Sequence, residues 1–353
     1  MKLNEILASR PEGPAFRIAY LGGSITEGAG ASDRKNRYSS RVTAAIARRH
    51  PALAVEEINA GVGGTPSALG LFRAERDIVE KKPDLVFVEF AVNDGGNADC
   101  GKYMEGIVRR LLRYRRDLPI VFLYTFSSGM YEGYLEGKEP VSVRAHRAVA
   151  EYYNIPEINL GPDLTQKIKA YGGDHLVFMK DGAHPNDDGY ATYTDTVMSR
   201  LFDFDFDIRF PEETVTGVEY QNPHMEYASA ALSAHPENFS GFAVSSFSLH
   251  GRTPDYIYAP LPGSSLTFRF RGRALGIYMA IEKDSGDLVL SVDGGEEKTV
   301  STWDEYALRF NRSAFAMLWE GEEGDHTLTL TVAPTKNERS EGHIIRIGAF
   351  LVG

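Results

Sequence analysis

Through the first two hundred residues, short apolar runs at 17–22, 53–59, 84–91, 119–125 and 155–159 alternate with stretches of helical spacing. Those stretches lie at about 38–50, 66–82, 101–116, 142–153 and 187–202. The alternation predicts a parallel sheet flanked by helices, a three-layer α/β/α sandwich. From about residue 215 the texture changes: the runs become short, β-rich and separated by glycine turns. Ser265–Phe270, Leu288–Val292 and His326–Val332 are examples, with Asp293-Gly294-Gly295 and Glu323-Gly324-Asp325 at hairpin positions. This half reads as an all-β domain of jelly-roll or β-sandwich type. The expected division is an α/β domain over 1–208 and a β-sandwich over 209–353. Just before it, Phe202 to Asp207 alternates Phe with Asp, which reads as a solvated strand rather than a calcium site.

Composition narrows the classes of function. At 353 residues there is room for two cores. The apolar (42%) and charged (25%) fractions are those of a soluble globular protein. A net charge of −11 argues against a nucleic-acid partner, whose phosphates call for a basic face. No uncharged apolar run approaches the roughly 18 residues of a membrane span. Met1-Lys2-Leu3-Asn4-Glu5 leads into no signal-like apolar stretch, so the cytoplasm is the expected location. Cys100 is the only cysteine, so no intrachain disulfide forms.

Four short blocks carry candidate chemistry. Gly22-Gly23-Ser24-Ile25-Thr26 puts a hydroxyl on a sharp turn after the run Ile18–Leu21. Asp181-Gly182-Ala183-His184 supplies a carboxylate and an imidazole three residues apart. Together these are a nucleophile, a general base and an acid to orient it. Between them, Asn59-Ala60-Gly61-Val62-Gly63-Gly64-Thr65 and Val88-Glu89-Phe90-Ala91-Val92-Asn93-Asp94 each follow or complete a strand-like run. Ligands of open parallel sheets sit at the carboxyl ends of the strands. Backbone N–H groups of Ser24 and Gly64, with the Asn93 amide, are therefore candidate oxyanion donors. Singly, each block has a plainer reading: Ser24 as a helix N-cap, Asn59 and Asn93 with their glycines as turns, Asp181 and His184 as a capped turn. The catalytic reading accounts for all four at once.

In order and spacing the blocks resemble the SGNH hydrolases, the superfamily that includes the GDSL esterases and lipases. The resemblance covers roughly 15–200. It implies Ser24 as nucleophile, His184 as base, Asp181 as acid, and Ser24, Gly64 and Asn93 as the oxyanion hole. Two positions depart from the family pattern: Gly23 stands where an aspartate is usual, and Ala91 where a glycine is usual.

The second domain resembles the modules appended to carbohydrate acetylesterases. That likeness implies O-acetylated xylan- or mannan-derived oligosaccharides as substrate, acetylated mannan among them. Both tryptophans, Trp303 and Trp319, lie there, and Trp303, beside Ser301-Thr302 and Asp304-Glu305, is expected to be the more exposed and a candidate sugar platform. Tyr131, in the loop Phe126–Tyr134 after a strand end, is a second candidate substrate contact. His146 reads as a packing histidine. The other histidines lack metal-ligand spacing, so no metal and no cofactor are expected. A lysophospholipase or acyl-thioesterase would use the same residues, and a non-catalytic glycan-binding protein would keep the same fold. The sugar and the oligomeric state stay open, a homodimer included.

Overall fold

Residues 1–10, 13–245 and 255–353 are described by a computed structural model. Five strands, β1 (Phe16–Gly22), β2 (Val55–Gly61), β3 (Leu85–Glu89), β4 (Ile120–Tyr124) and β5 (Glu157–Asn159), pair in parallel in the order β2-β1-β3-β4-β5. Every residue of β3 and β4 is buried, as strands covered by helices on both faces require. The helices are α1 (Leu3–Ala8), α2 (Ser24–Glu27), α3 (Tyr38–Arg49), α4 (Ser67–Asp77), α5 (Ala91–Asp94), α6 (Cys100–Tyr114), α7 (Tyr131–Leu135), α8 (Val141–Tyr153), α9 (Gly161–Ala170) and α10 (Asp187–Arg200). Ile18, Tyr20, Phe87 and Val121 share one core with Val42 and Ile46 of α3, Ile168 of α9 and Val197 of α10. The spacing of apolar residues predicts no helix at 161–170. Its start signal is Pro162, placed in the first turn where a missing N–H costs nothing.

Two compact units are present, Met1–Glu219 and Tyr220–Gly353. The first therefore runs past residue 208, because α6 holds the following segment. Buried Glu105 accepts from the Val215 and Thr216 N–H groups at 2.8 and 2.9 Å, and Arg109 donates to the Pro211 and Glu212 carbonyls at 3.1 and 3.2 Å. The stretch expected as a solvated strand at 202–207 begins in a 3-10 turn, Leu201–Asp203, and its strand-like pairing is a single bridge from Asp205 to Lys2. Its phenylalanines lie on the core and its aspartates are exposed, so the alternation reports burial without a ladder.

The second unit is mainly β, as its texture predicts, with one short helix, α11 (Ala228–Ala234), whose Ala228 and Ala231 join its core. Its strands are β6 (His224–Tyr227), β7 (Phe239–Ser240), β8 (Ala243–Ser245), β9 (Tyr256–Ala259), β10 (Ser265–Ile281), β11 (Asp287–Val292), β12 (Lys298–Ser301), β13 (Arg312–Val332) and β14 (Ile345–Val352). They form one antiparallel sheet, β12-β11-β13-β10-β14-β9-β8, with β6 on β14 and β7 on β10. The long β10–β13 pair changes register between Gly272 and Ala274. An irregularity of this kind changes which face each side chain takes. Leu266, Phe268 and Phe270 before it, and Leu275, Ile277 and Met279 after it, all enter the same core. The sheet thus curls over on itself, and the rings of Phe268 and Phe350 stack across the fold at 3.9 Å.

One of the two expected hairpins is there. Asp293 and Gly294, both at positive φ, turn β11 into β12. The other is not. Glu323-Gly324-Asp325 runs through the interior of β13, where Gly324 pairs with Gly272 at the irregularity, a common place for glycine inside a strand.

Candidate active site

Register decides where the four blocks meet. Gly22, at the end of β1, pairs with Gly61 at the end of β2 on one side and with Glu89 at the end of β3 on the other. The chain moves outward from β1 to β2, then returns to place β3 on β1's far side. Such a reversal of strand order is where open parallel sheets form their ligand crevice. Ser24 lies two residues beyond Gly22, Gly63 and Gly64 two and three beyond Gly61, and Asn93 four beyond Glu89. All emerge over the same edge.

Ser24 opens the single-turn helix α2, closed by Gly28 at φ 102°. Tyr190 of α10 donates to the Ala29 and Ile25 carbonyls at 2.7 and 3.0 Å and clamps this turn. The fourth block arrives from the other side. Asn186 caps α10 by accepting from the Asp188 and Gly189 N–H groups, which fixes the segment just before it. His184 Nε2 then lies 2.9 Å from Ser24 Oγ, and His184 Nδ1 lies 2.9 Å from Asp181 Oδ2. An ionised carboxylate only accepts, so Nδ1 carries the proton and Nε2 presents a lone pair to the hydroxyl. Asp181 also accepts from the Ala183 and His184 N–H groups at 2.7 and 2.8 Å. Burial works against its charged form, but the bond from His184 and these two N–H groups prevail and hold its carboxyl down to about 2. The Asp181 and His184 side chains are 53% and 27% exposed, so the site lies open at the surface.

The candidate oxyanion groups converge on the same turn. Neither the Ser24 nor the Gly64 N–H has a partner among the described residues. The Gly63 N–H donates to Glu27 at 2.9 Å, which fixes the loop ahead of Gly64. Asn93 Oδ1 lies 1.9 Å from where a Cβ on Gly23 would stand. The glycine that replaces the usual aspartate thus vacates the space that the Asn93 carboxamide fills. At the other departure, Ala91 is buried and its carbonyl accepts from Ser142 at 2.7 Å.

All five of these residues fall within 20–192, the span that matches the GDSL-like lipase/acylhydrolase family. The first domain belongs to that family. Two structures of a two-domain esterase active on acetylated mannans, one co-crystallised with mannopentaose, are similar in fold over nearly the whole chain. They align at 21% identity and a TM-score of 0.81, covering 99% of this chain and 92% and 93% of theirs. An acetyl xylan esterase aligns at 22% identity over 52% of this chain and 99% of its own, with a TM-score of 0.45. No curated protein matches the chain.

Elsewhere in the GDSL-like domain, the 126–134 loop lies against the acid–base segment. Ser128 donates to the Gly182 carbonyl through both its N–H and its hydroxyl, at 2.8 and 2.9 Å. Tyr131 is half-buried against the domain core, with its hydroxyl near Gly173. His146 is buried, with Nε2 2.8 Å from Asp94 Oδ2. Asp94, Cys100 and His146 bring a carboxylate, a thiol and an imidazole within 4.8 Å of one another. Burial, first, and the Asp94 charge push the Cys100 thiol up to about 12.

The expectation for Trp303 needs correcting. It is 8% exposed and part of the core of the second unit, whereas Trp319 is only half-buried. Its polar neighbours mislead because Thr302 is itself buried. The Thr302 N–H and hydroxyl donate to the Gly286 carbonyl at 3.0 and 2.8 Å and draw the next residue inward. Two supporting residues escape sequence reasoning. Arg73 is buried and donates to the Ala60 and Gly22 carbonyls at 2.6 and 2.8 Å, tying together the ends of β2 and β1. Glu27 holds Gly63. An arginine within the apolar face of α4 was the one available signal.

Among the described residues no helix is long and apolar enough to cross a membrane.

Proposed function

We propose that this protein is a serine esterase that removes O-acetyl groups from xylan- or mannan-derived oligosaccharides. The unbroken line Ser24 Oγ–His184 Nε2 and His184 Nδ1–Asp181, at 2.9 Å for each link, carries the reading. Ser24 attacks the ester carbonyl as His184 takes its proton, and Asp181 holds the imidazole tautomer and offsets the imidazolium charge. The tetrahedral oxyanion sits between the Ser24 and Gly64 N–H groups and the Asn93 amide. His184 then gives that proton to the departing sugar alkoxide as its C–O bond breaks, and the same nitrogen activates the water that releases acetate. The acetyl preference is supported by the openness of the site, which suits a small acyl group on a large alcohol. The two-domain esterase active on acetylated mannans, alike in fold across both units, supports the glycan side. Acetate release from acetylated manno- and xylo-oligosaccharides, beside acetyl and octanoyl p-nitrophenyl esters, tests it. The acetylated glycans and the acetyl ester should be turned over, and a preference for octanoyl esters would favour a lipase or thioesterase instead.

A further inference from the structure

β3 reads Leu-Val-Phe-Val-Glu, and its one charged side chain, Glu89, is 1% exposed at the end of the strand. A carboxylate there carries a large desolvation cost unless donors surround it. It has three. Thr125 Oγ1 donates to Oε1 at 2.7 Å, Thr26 Oγ1 donates to Oε2 at 2.8 Å, and the Gly23 N–H also donates to it. Burial raises its carboxyl above the ordinary range while these bonds oppose the rise.

Two of the three donors flank the nucleophile: Gly23 immediately before Ser24, and Thr26 two residues after. The Tyr38 hydroxyl stands 2.8 Å from Thr26 Oγ1. Since the Thr26 proton goes to Glu89, Tyr38 donates to Thr26, and a chain runs Tyr38→Thr26→Glu89. Glu89 is also joined to Asn93 by only three intervening residues, and Asp94 beyond it accepts from the Ser67 N–H at 2.9 Å, at the head of α4 behind Gly64. The segment Glu89–Asp94 thus touches all three pieces that supply the oxyanion groups.

We propose that Glu89 is a positioning residue: it holds the Ser24 turn from beneath and keeps the nucleophile in register with the Asn93 and Gly64 donors. This rests on the serine-esterase reading of the same site. A displacement of 1 Å at a reacting group is enough to cost roughly 10²-fold in rate. Glu89→Gln keeps the shape but replaces one acceptor oxygen with a donor, so Thr26 or Thr125 loses its partner and the turn its anchor.

The test uses the full chain, with p-nitrophenyl acetate kinetics, the rate of Ser24 labelling by a fluorophosphonate, and thermal melting. Glu89→Gln and Thr26→Val should each lower kcat and the labelling rate by about 10–10²-fold, with KM nearly constant. Thr26→Ser, which restores the hydroxyl, should recover most of the rate. The double variant should be little worse than the poorer single one, because both break one connection. A folded Glu89→Gln protein with unchanged kcat and labelling rate would overturn the proposal. So would multiplicative losses, or losses that vanish once rates are expressed per folded molecule. If Glu89→Gln does not fold, Thr26→Val against Thr26→Ser decides. Failure of the underlying reading looks different: wild-type protein would resist the fluorophosphonate, and Ser24→Ala would stay active.

Discussion

The GDSL-like domain holds two carboxylate–imidazole pairs of nearly the same length and opposite circumstance. His184 and Asp181 meet at 2.9 Å on the surface, three residues apart in one loop. His146 and Asp94 meet at 2.8 Å in the interior, brought together from α8 and α5. In the first pair the nitrogen near the carboxylate is Nδ1, which leaves Nε2 facing Ser24. In the second it is Nε2 that faces Asp94, while Nδ1 has no partner among the described residues. The bond is the same; what differs is whether the second nitrogen has a hydroxyl and solvent before it. Distance and residue type alone would not tell a base from a brace.

The sharpest way to break the comparison is to remove the reactive pair's own members. Ser24→Ala and His184→Ala should each lower kcat by on the order of 10⁶-fold, and the double variant should be little worse, because the groups act as a unit. Either single variant retaining a tenth of wild-type turnover would end the assignment.

Asp181→Asn comes next, with an expected loss of about 10⁴-fold from the wrong tautomer at His184. In the wild type, kcat/KM should rise with pH as the histidine base loses its proton. Asp181 should add no limb of its own in that range, since the folded protein holds its carboxyl at about 2 against an ordinary 3.8. Its contribution to stability is accordingly complete above pH 3.8 and is lost only as pH falls towards 2. Flat activity from pH 5 to 8 would contradict a histidine base.

His146→Ala should behave in the opposite manner. Leaving Asp94 buried without its partner should destabilise by roughly 3–5 kcal/mol, read as a lower midpoint in urea. His184→Ala should leave that midpoint nearly unchanged. Equal midpoints for the two variants would erase the distinction drawn here.

Asn93→Ala is the smallest change expected, though still large for one amide: kcat falls about 10²–10³-fold, or about 2.7–4 kcal/mol, with KM steady. A raised KM at constant kcat would instead make Asn93 a ground-state contact.

The inner strand runs were legible because a strand covered on both faces needs apolar residues at nearly every position, as in Leu85–Val88. Ser24, Asp181 and His184 were legible because three reactive residue types stood in ordered, glycine-rich blocks. Trp303 was misjudged for the reverse reason. Its neighbours in the chain are polar, while its neighbours in space, through the Thr302–Gly286 bonds, are the core. Glu323–Asp325 looks like a turn locally, yet Gly272, fifty-two residues before Gly324, pairs with it and carries the strand through.

By itself the sequence determined which residues are candidates for the chemistry, the alternation that makes a parallel sheet, and the shift to a mainly β second half. These are properties of residue type and period, written along the chain. Tertiary structure alone decided which glycine and which carboxylate end up side by side. Gly22 lies beside Gly61 and Glu89 only because β1 lies between β2 and β3, and that pairing turns separate loops into one site. It also decided that Glu89 and Asp94 are buried while Asp181 is exposed. A carboxylate's role is set by the donors and solvent around it, and contacts between distant segments supply both.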